Sequence, residues 1–190
     1  NDYVGKGMSG GEIIIRPREK ETYVWKENTI AGNTCLYGAT GGYLFVGGCA
    51  GERFGVRNSG AIAVVEGLGD HACEYMTGGI IVSLGGSGSN FGAGMSGGLA
   101  FVYDVDDHFE DNYNPEMVGI ERLSDSGEVD ALKKIVEAHA TATFSPHAAY
   151  LLENWGRTVS KFWKAVPHPS SPDIPKNTLK IDALDITVLT

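Results

Sequence analysis

A Ser/Thr-Gly-Gly/Ala signature followed by an apolar run occurs five times: Ser9-Gly10-Gly11, Thr40-Gly41-Gly42, Ser59-Gly60-Ala61, Thr77-Gly78-Gly79 and Ser96-Gly97-Gly98. The Ser/Thr positions are separated by 31, 19, 18 and 19 residues, so the first gap is one 19-residue period plus 12. A period of this size belongs to stacked coils, in which one repeat forms one rung and only the stack has a core. After each signature comes a short run rich in β-branched and aromatic residues, such as Tyr43-Leu44-Phe45-Val46 and Leu99-Ala100-Phe101-Val102. Such runs bounded by Gly read as strands. No helical stretch separates them, which excludes a βαβ sheet. With neighbouring strands about 4.8 Å apart, the chain is expected to coil as a parallel β-helix of 18–19 residues per turn.

The glycines fit that geometry, because corners need positive φ or a backbone without a Cβ. Of 27 glycines, 24 lie in residues 1–103, which places the end of the coil near Tyr103. Gly78 and Gly97 are expected to hold left-handed backbone angles. Along the strands, Ile13, Leu44, Ala63, Ile81 and Ala100, then Ile15, Val46, Val65, Ser83 and Val102, are compact residues suited to the interior. The positions between them hold Ile14, Phe45, Val64, Val82 and Phe101, an outward apolar column that something must cover. Two covers are open: the C-terminal helices of this chain, or another domain.

Three units are expected: the glycine-rich coil over 1–111, a connector with two helices packing on it over 112–166, and a proline-rich linker and tail over 167–190. The 12-residue excess of the first gap falls around Pro17–Asn28, read as a loop or strand extension on the side of the coil. Leu132, Ile135, Val136 and His139 recur at helical spacing from about Val129 to Thr143. Ser145-Pro146 is an N-cap with a first-turn proline, opening a second helix expected to run to about Lys164 and stop at Pro167. Leu179–Leu189 reads as a docked strand or a loose tail. The chain opens inside a repeat and without Met, as an excised piece of a longer protein would.

With a net charge of −9 and only scattered Lys and Arg, phosphate neutralisation, and hence nucleic-acid binding, is not expected. The apolar runs are far shorter than a bilayer requires, and no signal peptide is expected. Cys35, Cys49 and Cys73 are odd in number and widely spaced, which favours free thiols in a reducing compartment.

Several patterns could suggest chemistry. G-x-G-x-x-G occurs at Gly5–Gly10 and Gly92–Gly97, but each copy runs into a strand, whereas a dinucleotide site needs a helix there. The cysteines lack metal-ligand spacing. By repeat alignment, Cys35 matches Phe54, Cys73 matches Gly55 and Cys49 matches Leu68, so they read as wall and corner residues. Asp70, His71 and Glu74 form a dense polar cluster that reads as a stacked ladder. Asp104, Asp106, Asp107 and Glu110 could attract a cation but read as an acidic loop at the end of the coil. His139, His147 and His168 show no consistent partners. Taken alone, these residues specify a scaffold: no catalytic, cofactor-binding or metal-binding residue is assigned.

Longer strings are specific to one family. Asn1-Asp2-Tyr3-Val4-Gly5-Lys6-Gly7, Leu36-Tyr37-Gly38-Ala39-Thr40-Gly41-Gly42, Gly51-Glu52-Arg53-Phe54, Val56-Arg57-Asn58-Ser59-Gly60-Ala61, Gly69-Asp70-His71, Glu74-Tyr75-Met76-Thr77-Gly78-Gly79 and Gly94-Met95-Ser96-Gly97-Gly98 resemble the GXGXG, C-terminal domain of the glutamate synthase large (alpha) subunit. The resemblance is strongest over Asn1–Tyr103 and continues through Asn114-Pro115-Glu116-Met117-Val118 to about Val166. It implies a right-handed β-helix, mainly β, with a C-terminal pair of α-helices. It further implies a non-catalytic brace that holds a glutaminase domain and an FMN and iron–sulfur synthase domain in register around an ammonia tunnel. The parent reaction would convert glutamine, 2-oxoglutarate and a reductant, NADPH or ferredoxin, into two glutamates.

The catalytic cysteine, flavin site and cluster cysteines of the family map onto no residue here, so FMN and the iron–sulfur cluster are expected in other domains. The expected partners are the glutaminase and synthase domains, in cis or as separate chains. Self-association is compatible with this reading, and neither nucleic acid nor membrane is expected as a partner. The expected location is the cytoplasm, or a plastid in a photosynthetic eukaryote. The alternative is a stand-alone β-helix subunit, a ligand-binding or regulatory protein of a split glutamate synthase or related oxidoreductase. A third reading, an enzyme with carboxylates paired in the groove of the coil, is the weakest, because no two acidic residues recur one rung apart on a strand.

Overall fold

Each repeat signature leads into a strand: β1 (Ser9–Ile15), β3 (Gly41–Ala50), β4 (Ser59–Gly67), β5 (Thr77–Ser83) and β6 (Gly97–Tyr103). The computed structural model describes residues 1–18 and 24–169. These strands pair in parallel and in sequence order, as a coil requires. The register is the one the repeats predict, with Leu44 opposite Ile13 and Ala63, and Ile81 opposite Ala63 and Ala100. One alignment shifts: Cys49 pairs with Gly67 and not with Leu68, because β3 carries an extra residue between Val46 and Cys49.

Side chains alternate as expected. Leu44, Val46, Ala63, Val65, Ile81, Ala100 and Val102 fill the coil. Phe45, Val64, Val82 and Phe101 point outward into a second core, joined by Ile62, Ile80 and Leu99. The cover over that core comes from this chain: Leu132, Ile135, Val136, Ala148 and Leu151 of the helices close on it. Each buried aliphatic contributes about 1.5–3 kcal/mol. Ile14, on β1, stays 45% exposed.

The corners before the strands are built on alternate left-handed residues. Tyr3, Gly5 and Gly7 have φ of 58°, 70° and 66°, and the same alternation recurs at Thr34-Leu36-Gly38, Arg53-Gly55-Arg57, His71-Cys73-Tyr75 and Asn90-Gly92-Gly94. The backbone N–H of the first and third residue donates to the next rung, as Tyr3 N to Asn33 O (2.9 Å) and Gly7 N to Tyr37 O (2.9 Å). The middle residue donates to the rung before, as Leu36 N to Val4 O (2.8 Å). The corners are thereby cross-linked along the whole stack.

The paired glycines of the signature do different jobs. The second holds the left-handed angle, with φ of +96° at Gly42 and +83° at both Gly79 and Gly98. Gly78 and Gly97, expected in that conformation, are not in it. Instead, a Cβ on either would run into the carbonyl oxygen of the strand below, that of Ser59 and Thr77 respectively. Rung spacing, and not φ, demands glycine at these two positions.

The excess in the first gap includes a 3₁₀ turn (Trp25–Glu27) and β2 (Thr29–Ala31), which adds to β3 at Cys49 and Ala50; residues 19–23 lie outside the described residues. After β6 come a four-residue helix α1 (Phe109–Asn112) and β7 (Val118–Arg122). Helix α2 (Ser126–Thr143) starts at an N-cap, Asp125, whose side chain accepts from Glu128 N, and it ends at Phe144 with φ of 58°. Helix α3 (Pro146–Glu153) is capped by Ser145, which accepts from Ala148 N.

The second helix does not continue to Lys164 as expected. It gives way at Asn154 to a short helix α4 (Trp155–Thr158), and Phe162–Pro167 forms strand β8. β8 runs antiparallel between β6 and β7, with Ala165 opposite both Ala100 and Ile120. The last rung would otherwise leave its N–H and C=O groups unpaired, and that long-range demand overrides the local helical spacing. The expected linker and tail beyond Pro169 lie outside the described residues.

Candidate functional site

Where the strands leave the covered sheet, a cleft of about 1510 Å³ runs along the coil. Its floor is Gly51, Gly67, Gly69, Gly85, Gly86 and Gly88, and its walls carry Glu27, Glu52, Asp104, Asp106 and Asp111 against Lys26, His108 and His147. Glu66 reaches its inner wall.

Glu66 is a fully buried carboxylate that the sequence reading missed. Its Oε1 accepts from Ser145 Oγ and lies 3.6 Å from His139 Nε2. Burial lowers the pKa of His139, while Glu66 pulls it in the opposite direction. His147, in the first turn of α3, sets Nε2 2.6 Å from Leu84 O. The constellation contains Ser, His and Glu but in the wrong order for acyl transfer. Ser145 is bonded to the carboxylate and not to the imidazole, and its oxygen also caps α3 by accepting from Ala148 N at 2.9 Å. This is a polar tie that fixes the α2–α3 turn to β4. The signal was present: Glu66 ends an otherwise apolar run and falls on the outward parity.

The other polar residues singled out by sequence are spread along the coil. Asp70 Oδ1 accepts from Ser89 N at 2.7 Å, and one corner position repeats this across the stack, Asp2 Oδ1 from Asn33 N at 2.7 Å and Asn33 Oδ1 from Glu52 N at 2.9 Å. His71 Nδ1 meets Asn90 Nδ2 at 3.1 Å, and Asn90 Oδ1 accepts from Asn114 Nδ2. Glu74 faces Arg53 at 3.9 Å. Of the three histidines expected to lack consistent partners, His147 and His168 each meet a backbone carbonyl, His168 Nε2 lying 3.0 Å from Pro115 O. Among the described residues, His139 has only the Glu66 carboxylate at 3.6 Å and no hydrogen bond on either ring nitrogen.

The acidic loop also divides. Asp104 is buried and accepts from His108 N, Phe109 N and Trp163 Nε1, whereas Asp107 pairs with Arg122 and Lys161. The three thiols have separate surroundings: Cys35 and Cys73 are buried, and Cys49 donates to Lys26 O at 3.0 Å. Burial pushes the Cys49 thiol up to about 11 and raises Cys35 and Cys73 as well. Among the described residues, no three His, Cys, Asp or Glu are grouped to hold a metal ion.

A family model described as the GXGXG motif matches residues 1–168. The chain belongs to the GXGXG family. Its relatives are glutamate synthases, matched in the C-terminal region of the large subunit. The chain is 52% identical over 176 residues to ferredoxin-dependent glutamate synthase 2 of Synechocystis sp., covering 93% of this chain and 11% of that protein. It is 55% identical over 177 residues to the chloroplastic/mitochondrial ferredoxin-dependent glutamate synthase 1 of Arabidopsis thaliana, with the same coverage of 93% and 11%. To the large chain of glutamate synthase [NADPH] of Azospirillum brasilense it is 54% identical over 167 residues, or 88% of this chain and 11% of that one. The chain thus spans about a tenth of the length of these relatives.

The family's redox groups do not fit the residues of this GXGXG chain. A cluster needs convergent thiolates, and these thiols are apart, each raised above its ordinary pKa by burial. The glycine-plus-helix seat that commonly holds a cofactor phosphate is not formed at Gly5–Gly10 or Gly92–Gly97, which run into β1 and β6.

Proposed function

We propose that this GXGXG chain is the structural domain of a glutamate synthase, bracing the glutaminase domain and the FMN and iron–sulfur synthase domain around the path taken by ammonia. The observation that carries this reading is identity of 52–55% to glutamate synthases over 88–93% of the chain. The parent reaction is glutamine plus 2-oxoglutarate plus reductant to two glutamates, with the flavin and the cluster in other domains. A coil cross-linked at every corner and tied to its own helices resists bending, and that suits a part whose task is to keep two centres at a fixed separation. No described helix is long and apolar enough to cross a membrane. The working compartment on this reading is the cytoplasm, or the plastid in a photosynthetic eukaryote.

Of the two covers left open for the outward column, the chain's own α2 and α3 occupy it, so on this reading contacts with catalytic domains fall to other faces of the coil. The test is to assay the purified 190-residue chain for glutaminase and for amination of 2-oxoglutarate, and to ask whether it co-purifies with glutaminase and synthase polypeptides. No turnover with co-purification is expected. Turnover by the chain alone would overturn the proposal.

A further inference from the structure

The repeats supply an internal reference for what each corner position requires. At the third left-handed position, three rungs use glycine, Gly7, Gly38 and Gly94, and two use large residues, Arg57 (φ 55°) and Tyr75 (φ 54°). An L residue holds this angle against its Cβ, a penalty glycine does not carry. At the middle position the exceptions, Leu36 and Cys73, are both fully buried, and core packing offsets the penalty. Arg57 is exposed and Tyr75 is 54% exposed, so no burial in the core offsets theirs.

Tyr75 does lie over Gly94, and the Arg57 guanidinium sits 5.9 Å from the Tyr75 ring centroid. Arg57 has no carboxylate within ion-pair distance among the described residues, nor does Lys6, whose ammonium lies 5.4 Å from the Tyr3 ring. A chain of net charge −9 therefore presents, along one corner, cations laid on exposed tyrosines and left without counter-charges. Arg and Tyr are the residue types that dominate binding energy at protein interfaces.

We infer that the corner face centred on Arg57 and Tyr75, with Lys6 and Tyr3 two rungs away, is a docking surface for a carboxylate-bearing face of the adjoining catalytic polypeptide. This rests on the glutamate synthase reading above. Backbone strain is retained at Arg57 and Tyr75 because the side chains act outside the coil.

The sister rungs also suggest the test. Arg57→Gly restores the residue that Gly38 and Gly94 already occupy, so it should leave the thermal midpoint of the 190-residue chain unchanged or raise it. The same variant should bind the glutaminase–synthase polypeptide about tenfold or more weakly at low salt, with a shallower salt dependence than the unmodified chain. Lys6→Glu should weaken binding in the same direction. Equal binding by Arg57→Gly and the unmodified chain overturns this inference alone. A fall in the melting temperature of Arg57→Gly overturns it too, since Arg57 would then serve the coil. Failure of the unmodified chain to bind at all overturns both this inference and the bracing function.

Discussion

Glu66 on β4 and His139 on α2 approach to 3.6 Å, Oε1 to Nε2, with both side chains sealed from water. Because burial lowers the pKa of His139, the folded protein takes up this proton less readily than the unfolded chain, whose histidines titrate near about 6.5. Stability from the neutral imidazole is complete above that value and is lost as pH falls below it toward the folded-state value. The melting temperature should therefore drop as pH is lowered from about 7.5 to about 5. His139→Gln should flatten that part of the profile; an unchanged slope would show that other groups set it.

Removing the carboxylate differs from neutralising it. Glu66→Gln keeps an acceptor for the Ser145 hydroxyl and should change stability by less than about 1.5 kcal/mol. Glu66→Ala leaves a cavity and an unpaired hydroxyl and should cost about 2–4 kcal/mol in urea unfolding.

Glycines of the coil separate by mechanism. Gly97→Ala places a methyl against the Thr77 carbonyl and should cost more than about 2 kcal/mol. A Cβ at Gly10 meets nothing within 4 Å, and Gly10 does not have positive φ, so Gly10→Ala should be neutral or stabilise by up to about 1 kcal/mol. Paired denaturant curves decide; equal effects would contradict the stacking described.

Thiol reactivity should follow burial. At about pH 8, with Cys49 raised to about 11, alkylation of the native protein should be slow there and absent at Cys35 and Cys73 until denaturant is added. Mass spectrometry of the labelled sites checks this.

Lys164 is nearly buried and holds Glu128 at 2.7 Å and Glu121 at 2.9 Å. Burial alone would lower its pKa, but the two carboxylates outweigh it and the net shift is upward. Lys164→Ala leaves the half-buried Glu128 unpaired and should lower stability by about 1–3 kcal/mol, seen as a lower melting temperature.

The rungs were legible because each one reports on the next. Tyr43, Ile62, Ile80 and Leu99 occupy equivalent positions in the repeat, and their pairing follows from the period alone. Phe162–Pro167 was misread because Trp155, Val159 and Phe162 fit a helical stripe, while the edge of β6 that claims the segment lies far away in sequence. Glu66 escaped because Ser145 and His139, which explain it, come from another layer. The left-handed corners were visible only where glycine fills them; Arg57, Tyr75, Leu36 and Cys73 hold the same angle without the residue that usually signals it.

Antiparallel β8 lies along the outer side of β6. A stack of parallel rungs can in principle accept further identical rungs without limit, as fibrils do, but a strand of reversed direction breaks the repeat that growth would copy. At this end of the coil the described sheet therefore closes on β7, beyond a reversed segment of six residues, and not on a rung of the repeat.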